Sequence, residues 1–245
     1  MTRLQEPRKK QFPQMITKSA PFGRQIARHI QRTIGTASMV FHDILPNDMP
    51  LDIHVIAPRG TAKTSAHPLG ADFLTLVTSG LSTLGTAPRG KAGPQPVELM
   101  ISLPTAWPGL NPDGTLDVRI MQEEQYAWPL QWLKRLACLP PPDAEALAFH
   151  GCVPKVENAP PLAPETALRY LLLAPSELHP KSRALMVHDD IEIQFLALWP
   201  LYAEEESFTR RHGVEALLPE LRREGVTDLV SPRRLPVLAP APHGA

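Results

Sequence analysis

The hydrophobic positions change period several times along the chain, and each change marks an element. Phe22, Ile26, Ile30 and Ile34 recur at every fourth position between Pro21 and Gly35, predicting a short amphipathic helix with one face on a sheet. Four segments of strand type follow, at 39–45, 51–57, 73–79 and 97–103, each closed by proline, glycine or asparagine. Their order predicts a meander of neighbouring strands. In the second of them Leu51, Ile53 and Val55 alternate with Asp52 and His54, the pattern of a half-buried sheet.

Trp128-Pro129 opens a second helix in this reading, with Pro129 in the first turn and Leu130, Leu133, Leu136 and Ala137 as its apolar stripe, and Pro140-Pro141-Pro142 ends it. The stretch 154–164 carries four prolines and reads as a loop or surface crossing. Strands resume at 167–173, 184–188 and 191–199, the last two joined as a hairpin through His188-Asp189-Asp190. A helical region at 204–224 is interrupted at Gly213, with a break or kink expected at Pro219. The pattern predicts a mixed α+β fold, a mainly antiparallel or mixed sheet flanked by a few short helices. It divides the chain into a flexible basic arm at 1–20, one domain at 21–235, and a disordered proline- and alanine-rich tail at 236–245.

Composition narrows the classes. Proline is 29 of 245 residues, more than twice the usual share of about 5%, which keeps the helices few and short. An apolar fraction of 43% is too high for a disordered chain, and 245 residues suffice for a core without metal or disulfide. Lys and Arg balance Asp and Glu at 25 each, so no global charge argues for nucleic acid; that hypothesis would need a local basic patch. No apolar stretch approaches the roughly 20 residues of a membrane helix. Without a secretory signal pattern either, the expected location is the cytoplasm, with Cys138 and Cys152 as free thiols.

The search for chemistry excludes more than it finds. The nine histidines form no His-x-x-x-His pair, and Cys-x-x-Cys is absent, so neither metal nor cofactor is implied. Thr78-Ser79-Gly80 lacks the leading glycine of a nucleophile elbow, and Gly60 to Thr64 lacks the glycine that precedes the lysine of a phosphate loop. Adjacent acids at Glu123-Glu124, Asp189-Asp190 and 204–206 read as solvated surface. One cluster stands out: Asp52 and His54 share a strand face within reach of His42 or Asp43 on the neighbouring strand. This is either a polar surface pair or the core of an unrecognised hydrolase.

The ordered set of segments 73–82, 97–104, Trp107-Pro108, 128–134, 171–173, 195–205 and His212-Gly213 resembles the Suppressor of fused family in its bacterial form. The resemblance implies a compact domain with a sheet flanked by helices, acting as a non-enzymatic protein-binding module; the eukaryotic relative grips an extended peptide beside a strand. The resemblance also implies a role as an immunity protein that neutralises a toxin or effector domain; an adaptor or scaffold associated with a secretion system, working through proline-rich segments, is the alternative. The implied partner surface lies between the helix at Trp128 and the loop at His150 to Pro154, with Trp128, Trp132, Leu139, His150 and Cys152 as contact residues. Glu204 and Glu205, with Glu123, Glu124 and Glu206, would steer a basic partner. Leu139 and His150 stand where the eukaryotic relatives have aromatic and acidic contacts, so the ligand should differ.

Overall fold

The isoleucine spacing forms α1 (Gly23–Thr33), which buries Ile26, His29 and Ile30 and exposes its opposite side. The computed structural model describes residues 20–44, 49–57, 73–85, 93, 95–138 and 151–238. The early strands are β1 (Ala37–Ile44), β2 (Pro50–Ile56), β3 (Phe73–Ser79) and β4 (Val97–Pro104). They form the expected antiparallel meander, with Phe41 opposite Ile53, Ile53 opposite Thr78, and Val77 opposite Met100.

After α2 (Glu124–Ala137) come β5 (Cys152–Val153), β6 (Tyr170–Ala174), β7 (Ala184–His188) and β8 (Ile191–Leu201). Two helices close the fold, α3 (Ala203–His212) and α4 (Val214–Arg223). The sheet runs β1-β2-β3-β4-β8-β6-β5. Its only parallel pair among the described strands is β4 with β8, which makes the sheet mixed. Gln194 of β8 pairs with both Val97 and Ala184, while Ala197 pairs with both Met100 and Ala174. Thus β7 and β6 share one side of β8 in succession, and the predicted 184–188/191–199 hairpin is the β7–β8 pair.

The sheet is covered on both faces, unlike the half-buried sheet that the β2 alternation suggests. Leu51, Ile53 and Val55 face a core with Leu99, Ile101, Leu196, Leu198 and α2. Val77, Met100, Phe195, Ala197 and Trp199 face a second core with Ile26 and Ile30 of α1 and Leu217 and Leu221 of α4. Burial on both sides explains why β6 and β8 read as continuous apolar runs without alternation. Each such side chain contributes about 1.5–3 kcal/mol on full burial.

Two proline readings change. Pro129 is the sixth residue of α2, not in its first turn, because the helix starts at Glu124. The expected interruption falls at Gly213, where φ is +83°, while α4 runs on through Pro219 without a break. Burial of Leu217, Leu218 and Leu221 across Pro219 offsets the hydrogen bond that proline removes. Glycine is required at position 80, where φ is +128° and an added Cβ would lie 2.3 Å from the Pro50 carbonyl oxygen. The Gly80 N–H donates to the buried Glu98 carboxylate at 2.9 Å, which ties this turn to β4. At the other end, residues 236–238 differ from the expected disordered tail: Val237 N–H donates to Glu205 Oε1 at 3.0 Å. The arm at 1–19 and residues 239–245 lie outside the described residues.

Candidate functional site

A groove lies between α2 and the proline-rich crossing that follows β5. Trp128, Leu133, Leu136 and Ala137 turn toward the sheet and fix α2 in place. Trp107 packs edge-on against Trp128, with ring centroids 6.1 Å apart, and its indole N–H donates to the Tyr126 carbonyl at 3.3 Å. One turn beyond Trp128, Trp132 is only partly buried and forms a wall of the groove. The Arg135 guanidinium stacks over it, 5.0 Å from the ring centroid, which holds a cation at the rim.

The opposite wall is Val153 to Val156 with Pro160, Pro161 and Leu162. This segment has no strand ladder beyond Val153, yet it is pinned from behind. Tyr170 Oη donates to the Val156 carbonyl at 3.1 Å and accepts from Ala159 N–H at 3.2 Å, while Arg169 donates to the Ala159 carbonyl at 2.5 Å. The enclosed space is about 710 Å³, with Glu124, Arg135 and Lys155 as charged groups in its lining. Among the described residues neither Arg135 nor Lys155 has a carboxylate partner within 4 Å. β5 ends the sheet as described and pairs only with β6 among the described strands.

The residues expected at the partner surface are only partly brought together. Trp128 and Trp132 both line the groove, whereas Leu139 and His150 lie outside the described residues. Cys152 turns to the other face of the sheet, where burial and the nearby Glu206 push its thiol up to about 12. It is a packed, protonated thiol, not a groove residue. Glu205 is a correction: expected as a surface charge, it is wholly buried, and its carboxylate receives both Arg234 guanidinium nitrogens and the Tyr202 and Val237 N–H groups. Glu204 remains half-buried on α3. Pro160, Pro161 and Leu162 fall in the proline-rich stretch that the adaptor alternative would use, whereas Arg135 and Lys155 were not singled out.

Asp52 and His54 do share a strand face, as expected, but they do not act together. His42 Nδ1 lies 2.8 Å from Asp52 Oδ1 on the exposed side of β1 and β2. His54 is buried instead, its Nε2 has no hydrogen-bond partner, and desolvation lowers its pKa, opposed by Asp52. Among the described residues no group of three His, Cys, Asp or Glu side chains is placed to hold a metal ion. No helix of the described residues is long and apolar enough to cross a membrane.

A protein-family model described as Suppressor of fused protein (SUFU) matches residues 47–235. The chain belongs to the Suppressor of fused family. Solved structures repeat the fold at low identity. A Neisseria gonorrhoeae protein described as a SUFU homologue matches with a TM-score of 0.56 and 14% identity, covering 90% of this chain and 98% of its own. Sufu in a Sufu–Fu complex matches with a TM-score of 0.60 and 14% identity, covering 90% and 93%. Drosophila Suppressor of Fused gives 0.56 and 14%; 89% of this chain is covered, and it spans about half, 52%, of that protein. No curated protein matches the chain. The Suppressor of fused region holds β2 to β8, α2 to α4 and the whole groove, while α1 and β1 precede it.

Proposed function

We propose that this Suppressor of fused domain is a non-enzymatic protein-binding module that takes an extended peptide segment of its partner into the groove between α2 and the 153–162 crossing. The observation that carries the reading is the preformed wall of Trp128 and Trp132 facing Val153 to Leu162 beside β5, the last strand of the sheet among the described residues. An extended segment there finds backbone groups to pair with and apolar surface for alternate side chains. The related Sufu–Fu structure is itself a complex with another protein. The rim cations Arg135 and Lys155 favour an acidic residue near the bound segment.

The finer reading is a cytoplasmic immunity protein whose partner is a toxin or effector domain. It is supported by the family assignment and by the match to a protein of a bacterium, Neisseria gonorrhoeae. Binding to the product of a neighbouring toxin-like gene, measured by calorimetry and by rescue of growth, tests it. Trp132→Ala and Val156→Asp are expected to weaken binding about 30-fold each, the size of an interface hot spot. Val156 is 55% exposed, so its change spares the fold. Wild-type affinity in both variants would refute the groove, and no binding at micromolar concentration would refute the immunity role.

A further inference from the structure

A concentrated basic feature of the described surface lies on α1, outside the region matched by the family model. Arg24, Arg28 and Arg32 recur every fourth residue and are all exposed, forming one stripe about 12 Å long. Between them and the sheet, His29 is buried and its Nε2 lies 3.0 Å from the Ser182 carbonyl oxygen. That contact spans 153 residues of sequence and sets the exposed Lys181 and Arg183 beside the arginine stripe. Among the described residues none of these five cations has a carboxylate oxygen within 4 Å, although Asp189 and Asp190 stand exposed in the β7–β8 turn near the start of α1.

Three features make this more than a solvated helix face. Like charges at this spacing destabilise the helix that carries them. A surface kept only for solubility mixes both signs, yet α1 has no acidic residue. The charge is also segregated along the chain: the first 35 residues hold eight of the 25 basic residues and one of the 25 acidic ones, Glu6, so the zero net charge conceals a basic end.

We propose that this face binds the phosphate backbone of double-stranded DNA, independently of the groove. Arginine suits phosphate through its planar, bidentate fork. A 12 Å ladder spans about three to four successive phosphates of a B-form strand, whose rise is about 3.4 Å. Single-strand binders interleave aromatic platforms with cations, and the exposed side of α1 carries none. A membrane is disfavoured because Ile26, Ile30 and Ile34, the residues that would insert, are buried in the fold. The contacts hold backbone only, so binding is independent of base sequence.

The test uses the full chain and a fluorescent 24-base-pair DNA duplex, read by anisotropy across salt concentrations. Five phosphate contacts give a slope of log K on log salt of about −4.5, a several-hundred-fold loss of affinity between 50 and 200 mM. Arg24→Gln/Arg28→Gln/Arg32→Gln is expected to flatten that slope by about 2.7 units, and Lys181→Gln/Arg183→Gln by about 1.8. Residues 1–19 stay in every variant, so the difference belongs to the described face, and an unchanged melting temperature shows that the fold is intact. No binding at 50 mM salt overturns the proposal, as does a slope unchanged by the triple substitution. Tighter binding to an RNA duplex, to anionic phosphatidylserine vesicles or to polyglutamate at equal charge overturns it equally, by assigning the face to that polyanion.

Discussion

Replacing Arg234 with methionine tests how the end of the domain is fastened. The side chain of Glu205 is fully buried and that of Arg234 is 9% exposed. Arg234 reaches Glu205 with both terminal nitrogens, one of them at 2.7 Å, donates to the Pro200 carbonyl at 2.9 Å, and lies 4.8 Å over the Tyr202 ring. Methionine keeps the apolar stem but strands the carboxylate, which retains only the Tyr202 and Val237 N–H groups. Breaking a buried ion pair from one side costs about 3–5 kcal/mol. For a domain of this size each kcal/mol lowers the melting temperature by roughly 2–4 °C, so a fall of about 10 °C is expected. Adding Glu205→Gln removes the stranded charge, and although its single amide oxygen keeps only one of the two N–H groups, which meet different carboxylate oxygens, the double variant should recover about 1 kcal/mol. Thermal and urea melts followed by circular dichroism measure all three proteins. An Arg234→Met melt within 1 kcal/mol of wild type, or a double variant less stable than the single one, would refute this account of the pair.

Two further buried groups give pH dependences of opposite sign. Desolvation raises the pKa of Glu98, against the hydrogen bonds from Thr78, Ser82 and Gly80. The folded state then binds its proton more tightly than the unfolded chain, so stability declines as pH rises from the ordinary carboxylate range through the raised value. Glu98→Gln should flatten that decline in urea melts between pH 4.5 and 8; an unchanged slope would dismiss Glu98 as its source. For His54 the folded pKa is lowered, so stability is full above about pH 6.5 and is lost as pH falls toward the lowered value. His54→Leu removes both this acid limb and a buried nitrogen without a partner, and should equal or exceed wild-type stability at pH 6. A loss of more than 1 kcal/mol at that pH would show that the imidazole makes a needed contact.

Much of the sheet could be read from sequence because local signals agreed with tertiary demands. Ile26 and Ile30 define the buried side of α1, and the turn at Asp189-Asp190 joins two strands that do pair. Reading failed where burial was decided by a distant element. Asp52 and His54 occupy the same face, yet the packing around them leaves one exposed in a pair with His42 and the other buried. Glu205 sits in an acidic triplet that looks solvated, and only Arg234, 29 residues later, makes its burial possible. The parallel pairing of β4 with β8 left no local trace, since nearly a hundred residues separate the two strands. Trp132 was placed at the implied surface only through the family resemblance and does line the groove, whereas Arg135 and Lys155 looked like any surface cations.

The placement of the groove follows from the same division between rigid and irregular parts. Its floor and one wall belong to α2, whose Trp128, Leu133 and Leu136 are fixed in the larger core, so the Trp132 wall cannot move without disturbing the sheet. The other wall has no ladder after Val153 and relies on Tyr170 and Arg169, both at the start of β6, to hold Val156 and Ala159. A surface with one wall set by core packing and the other by a few hydrogen bonds keeps its shape while its lining residues remain free to vary. Under the proposed function that arrangement would let one fold serve different partners, because substitutions at Lys155, Val156 or Arg135 would alter the groove lining without entering either core.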